Sequence, residues 1–171
     1  MILRELSSSD ITEEYVEWLN DTEINQFLES RFTRQDINSV ESYIRKMAAS
    51  EIDYLFGIFD KADAKHIGNI KLGPVSTCHR RAEIGLIIGD KQKWGKGYAT
   101  EAITLVSEFA FYQIDLLKLT AGCYESNLGS KRAFEKVGYC VEGFVRSCVE
   151  TRSGREGVWR LGLLPNELKT S

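Results

Sequence analysis

Trp94-Gly95-Lys96-Gly97-Tyr98-Ala99 follows the apolar run Ile84-Gly85-Leu86-Ile87-Ile88-Gly89 and leads into an amphipathic segment that begins near Thr100. In that order the chain reads as strand, glycine turn and helix. Gly95 and Gly97 carry no Cβ, so the backbone can turn sharply there and approach a ligand closely. The amides of residues 95 to 99 precede the first intrahelical acceptors, and the positive end of the helix macrodipole lies beside them. A diphosphate is stabilised at such a place without any charged side chain.

Spacing separates three phosphate-binding patterns. A Walker loop requires G-x-x-x-x-G-K-S/T, but Gly89 and Gly95 are one residue too far apart, and Gly97 stands where the Mg²⁺-binding hydroxyl belongs. A dinucleotide fingerprint, G-x-G-x-x-G, uses Gly95 and Gly97, yet its third glycine is Thr100, which keeps helix and strand from packing closely. The pattern Q/R-x-x-G-x-G/A fits Trp94 to Ala99 at Gly97 and Ala99, with Trp94 in place of Gln or Arg. Shifted back two residues, Gln92 to Gly97 also fits, but its second glycine falls before the helix start.

At these residues the chain resembles the GNAT superfamily of N-acetyltransferases. More narrowly, W-G-K-G-Y-A-T-E-A is similar to the branch that contains the ribosomal-protein N-terminal acetyltransferases. A second motif, Asn127-x-x-Ser130-x-x-x-Phe134-Glu135-Lys136-x-Gly138-Tyr139, follows one helix and one strand later, so the likeness covers nearly the whole chain. The resemblance implies an α+β fold, one domain over residues 1–171, with a mixed, mostly antiparallel central sheet flanked by helices. It also implies acetyl-CoA as acetyl donor and an amine as acceptor. Trp94, Gly95, Lys96, Gly97, Tyr98 and Ala99 would then cradle the diphosphate.

The bulk composition agrees with an ordinary globular domain: 171 residues, 43% hydrophobic and 27% charged, enough to bury a core. Lys plus Arg number 22 against 25 Asp plus Glu, a net charge of -3 that does not point to nucleic acid as a partner. The start, Met1-Ile2-Leu3-Arg4-Glu5, lacks a long apolar stretch, and no run approaches membrane-spanning length, so a cytoplasmic protein without membrane contact is expected. Cys78, Cys123, Cys140 and Cys148 show no C-x-x-C spacing, which predicts reduced thiols and no metal. A monomer or homodimer is expected.

In chain order, Leu3 to Leu6 reads as a strand, and Ser9-Asp10 offers a cap for a helix carrying Ile11, Tyr15, Trp18 and Leu19, ended by Asn20-Asp21. An irregular stretch holding Phe27, Leu28 and Phe32 precedes a second helix over residues 33–50, with Ile37, Val40, Ile44 and Met47 on one face, and the resemblance implies that this region shapes the acceptor pocket. Residues 53–59 and 66–72 form a hairpin joined by the polar turn 60–65, Gly73-Pro74 ends the second strand, and 82–89 returns as a central strand. A helix over 100–114, a strand over 116–121, and a helix from Asn127 to Val137 capped by Gly138 follow. Residues 139–148 and 156–164 close the chain as a long hairpin around Ser153-Gly154.

Acetyl transfer from a thioester to an amine requires a neutral amine, a polarised carbonyl and a protonated leaving thiolate. For polarisation, the resemblance implies a splayed strand whose backbone at Ile87, Ile88 and Gly89 bonds the pantetheine and thioester. A strand that simply ends at Gly89-Asp90 fits the residues equally well. For the base, Glu83 starts the central strand on the same side as Gly85 and Ile87, and apolar surroundings raise a carboxylate toward a useful basicity. The alternative is a strand-end Glu paired with Arg80 or Arg81. His79, His66 and Glu150 are further candidates.

For the acid, many GNAT enzymes place a tyrosine seven residues after the motif asparagine, where this chain has Phe134. A phenyl ring donates no proton. The resemblance instead implies that Ser130 hydrogen-bonds the sulfur; the competing role is a local helix bond. Asn127 is read as a pantetheine contact or as the helix cap. Lys131 and Arg132 either meet the cofactor's 3′-phosphate or form a solvated face. The residues also fit two rival functions: a non-catalytic acyl-CoA-binding regulatory module, and a nicotinamide-dinucleotide enzyme using Gly95 and Gly97 with Asp115 as ribose partner.

Overall fold

The computed structural model describes residues 1–169; the last two positions of the expected 1–171 domain, Thr170 and Ser171, lie outside the described residues. Strand β1 (Ile2–Glu5) and a helical turn, Ser8–Asp10, lead into helix α1 (Glu13–Asn20). Its cap is Thr12 rather than Ser9-Asp10. Thr12 Oγ1 accepts from the Tyr15 amide at 3.1 Å, while Asp10 is engaged by the Arg4 guanidinium at 2.8 Å. Two single turns, Asn25–Phe27 and Glu29–Phe32, occupy the irregular stretch before helix α2 (Ile37–Ala48). This helix is shorter than the span 33–50, because the Asp36 carboxylate takes the Ser39 amide at 2.7 Å and fixes the first turn.

Strands β2 (Tyr54–Phe59) and β3 (His66–Leu72) form the expected hairpin, and β4 (Arg81–Ile88) returns beside β3. Helix α3 (Tyr98–Tyr112) begins two residues before Thr100. Strand β5 (Lys118–Tyr124) runs later than residues 116–121, since Leu116 is buried in its lead-in with its amide on the Ala110 carbonyl at 2.9 Å. Helix α4 (Leu128–Val137) ends at Gly138, whose φ of +117° suits a residue without a Cβ. Strands β6 (Cys140–Thr151) and β7 (Gly154–Leu163) are the closing hairpin.

The seven strands lie in the order β1-β2-β3-β4-β5-β7-β6, antiparallel throughout except for β4–β5. One face buries Ile70, Ile84, Leu119 and Leu161 beneath α3 and α4, through Ile103, Val106 and Phe134. The other face packs Phe59 and Leu6 against Tyr15 and Trp18 of α1 and Val40 and Ile44 of α2. Each large side chain removed from water here contributes ~1.5–3 kcal/mol.

The parallel pair positions the site. Its ladder consists of Arg81↔Lys118, Ala82↔Leu119 and Glu83↔Thr120, beyond which no further pairs join the two strands. Strand β4 continues to Ile88 on β3 alone, and β5 continues to Tyr124 on β7, so a wedge opens between them.

Candidate active site

The glycine loop closes one end of that wedge. Gly95 and Gly97 have φ of +72° and +91°, and a Cβ built on either would enter open space, with nothing within 4 Å. The glycines are therefore demanded by backbone conformation, and the space in front of them is free for a ligand. Gly97 is the N-cap of α3, and the first closing bond runs from the Glu101 amide to the Gly97 carbonyl at 3.0 Å. The amides of Tyr98, Ala99 and Thr100 lie ahead of it. Within the expected span 95–99 the Lys96 amide is already used, bonding the Lys93 carbonyl at 3.4 Å. The donor set thus moves one residue toward the helix.

Side chains fix the loop from behind. Trp94 Nε1 donates to the Ile88 carbonyl at 2.8 Å, tying the loop to the end of β4. Tyr98 Oη donates to Asp60 Oδ2 at 2.8 Å, Lys93 pairs with the same oxygen, and the Ala62 amide donates to Asp60 Oδ1 at 3.0 Å. Those bonds, the Ala62 amide foremost, hold the Asp60 carboxyl well below the usual carboxylate range. Lys91 reaches across to Asp21 and Glu23 at 2.8 and 2.6 Å, joining the loop to the segment after α1.

The wedge holds a cleft of about 520 Å³ lined by β4 from Ile84 to Ile88, the loop, Gly122, the start of α4, and Ile24, Gln26, Phe27 and Leu28. The irregular stretch after α1 thus supplies one wall, through Phe27 and Leu28, within the region that the resemblance implied would shape the acceptor pocket. A more open hollow of about 700 Å³ between α1 and the start of α2 contains none of the candidate catalytic or cofactor-binding residues.

Along β4 the expected backbone donors divide. The Gly89 amide bonds the Ile67 carbonyl at 2.8 Å, and Gly68 lies opposite Ile88, so the antiparallel alternation aims Ile87 at β3 and Leu86 and Ile88 at the gap. Gly89 is explained by packing: a Cβ there would sit 2.0 Å from the Trp18 indole.

Asn127 caps α4, its Oδ1 accepting the Ser130 amide at 3.2 Å. Ser130 lines the cleft, with its Oγ 3.5 Å from Cys123 Sγ. Burial pushes the Cys123 thiol up. Phe134 is buried edge-on against Tyr139, at 4.9 Å between ring centroids. Arg132 and Lys136 line the cleft, whereas Lys131 turns to Glu135 and the Trp159 ring.

Glu83 occupies the last rung of the β4–β5 ladder. Its side chain is 51% exposed, so the apolar surroundings expected for it are not there, and its ion-pair partner is Arg160 at 3.7 Å rather than Arg80 or Arg81. The other candidates lie apart. His79 is exposed in the turn before β4. Glu150 pairs with Arg155 on the last hairpin. His66 sits among the rings of Tyr15, Trp18 and Phe59, and burial lowers its basicity. Asp115 is engaged by Arg80 at the far end of α3.

Residues 1–139 match the family described as acetyltransferase (GNAT) domain. A probable N-acetyltransferase, YjcK of Bacillus subtilis (strain 168), is 36% identical over 121 residues, covering 70% of this chain and 64% of that protein. The chain therefore spans just under two thirds of that relative's length. Spermidine N(1)-acetyltransferase of Escherichia coli (strain K12) is 32% identical over 83 residues, 48% of this chain and 44% of that one. Among solved structures, spermidine N-acetyltransferase from Vibrio cholerae in complex with CoA and spermine superposes with a TM-score of 0.87 at 22% identity, covering 97% of this chain and 96% of that chain. That likeness is one of fold.

Proposed function

The chain belongs to the acetyltransferase (GNAT) domain family, and from that premise we propose that it transfers an acetyl group from acetyl-CoA directly to a primary amine. The observation that carries this reading is the coincidence of two left-handed glycines, open space before them, and the uncapped N-terminus of α3, all facing the wedge between β4 and β5. Acetyl-CoA supplies the acyl group already activated on sulfur. The amides of Gly97 to Thr100 take the diphosphate, Arg132 and Lys136 add positive charge beside it, and main-chain groups of Leu86 and Ile88 border the pantetheine path.

Glu83, at the point where the ladder opens, receives the proton lost by the attacking amine, directly or through water. Ser130 donates a hydrogen bond toward the sulfur and steadies it as the carbon–sulfur bond breaks. A serine hydroxyl is too weak an acid to do more, so water returns the proton to the thiolate. Lys96 lies at the exposed edge of the loop, and Asn127 orders the start of α4.

For the acceptor we favour a small polyamine of the spermidine class, supported by the relatives named for it. The Trp94-Gly95-Lys96-Gly97 motif favours a second reading, a protein N-terminus of the ribosomal kind. Residues 1–171 act as one domain in the cytoplasm, where the four unpaired thiols stay reduced, as a monomer or homodimer. The test is thiol release from acetyl-CoA against spermidine, amino sugars and short peptides. Turnover with at least one amine, falling about 100-fold or more in Glu83→Gln, is expected. No turnover with any of them would overturn the reading.

A further inference from the structure

Glu83 stands on the last rung before the wedge, on the sheet face opposite the buried Ala82 and Ile84. Nothing on β4 itself holds its carboxylate. Across β5, Arg160 of β7 places Nη1 3.7 Å from Glu83 Oε1, passing over Gly122, which is paired with Arg160 in the β5–β7 ladder. Gly122 leaves room for this pair: a Cβ there would lie 3.1 Å from Arg160 Nη1 and 3.6 Å from Glu83 Oε1. Gly122 also lines the cleft, so the carboxylate and guanidinium meet at its edge.

Of the other charges on this face, Arg81 of β4 makes no ion pair among the described residues and three more are matched elsewhere. Lys71 of β3 pairs with Asp53, Lys118 of β5 with Glu142, and Arg31 bonds Tyr124 Oη and the Glu150 carbonyl. Among the described residues the one ion pair of Arg160 is with Glu83. We propose that Arg160 is a positioning residue, which fixes the Glu83 carboxylate at the mouth of the wedge in the orientation that meets the acceptor nitrogen. The proposal rests on the reading of Glu83 as base. Arg160 touches neither substrate in this scheme; it acts through Glu83.

The experiment is a double-mutant cycle on the full chain, with acetyl-CoA and spermidine, or whichever amine of the panel is turned over fastest. Arg160→Gln is expected to lower kcat about tenfold with the acetyl-CoA KM nearly unchanged, and Arg160→Lys to recover most of the loss. In a Glu83→Gln background, Arg160→Gln should cost nothing further, because the group it orients is gone. Equal fractional losses in both backgrounds, or an Arg160→Gln enzyme with the original kcat, would overturn the proposal while leaving Glu83 in place. A Glu83→Gln enzyme that keeps its kcat would remove the base assignment, and this proposal with it. Should Arg160→Gln fold poorly, Gly122→Ala presses on the same pair from the cleft side and is expected to lower kcat in the same Glu83-dependent way; independence from Glu83 would again count against it.

Discussion

Gly97 carries two demands at one position, a φ of +91° and an open approach to the amides that follow. An alanine there meets no atom but must adopt a left-handed backbone, at ~1–2 kcal/mol. The expected outcome for Gly97→Ala is a Tm lower by a few degrees and CoA binding weakened about tenfold, read by calorimetric titration. Unchanged affinity would show that the loop does not hold the ligand. Gly89 makes the opposite case, since its Cβ would strike the Trp18 ring at 2.0 Å. Gly89→Ala should therefore destabilise the fold by ~1–3 kcal/mol in denaturant unfolding, while CoA affinity per folded molecule stays the same. In the sequence, Gly97 reads as a diphosphate contact and Gly89 as a pantetheine contact or a plain strand end; the packing role of Gly89 required Trp18, distant in the chain.

At the level of elements, α3 begins where it does because its first turn is held from outside. Asp60, at the end of the β2–β3 hairpin, gathers Tyr98, Lys93 and the Ala62 amide onto one carboxylate. Its folded-state pKa lies below the unfolded value of about 4, so the stabilisation it gives is fully present above that pH and is lost as pH falls through the folded value. Asp60→Asn should lower Tm near neutral pH, and the gap to the parent should narrow only as pH drops below about 5. A gap that stays constant with pH would contradict the clamp. Hydrophobic period and glycine stops made most elements legible, including the β2–β3 hairpin and the Gly138 stop. Caps were the weak point. Thr12 and Asp36 take roles that several Ser, Thr and Asp residues nearby were equally fit to take, and only the geometry of the entering chain chooses.

For the molecule as a whole, the decisive feature is a sheet that stops being continuous after three rungs of its one parallel pair. Helices α3 and α4 both begin at the resulting gap, so their N-terminal amides, the freed groups of β4 and the Glu83 carboxylate converge on one cleft. Two motifs in the right order made that convergence readable before any coordinate. The wall around Phe27 and Leu28 was expected only through the family resemblance, and the Arg160 guanidinium not at all, because each reaches the site through tertiary contact rather than through local pattern. The most direct test is an amide chemical-shift titration of the isotope-labelled full chain with CoA. The largest shifts should fall on Gly97, Tyr98, Ala99 and Thr100, with smaller ones at Leu86 and Ile88; saturable binding that leaves those amides unmoved and perturbs another surface would contradict the account.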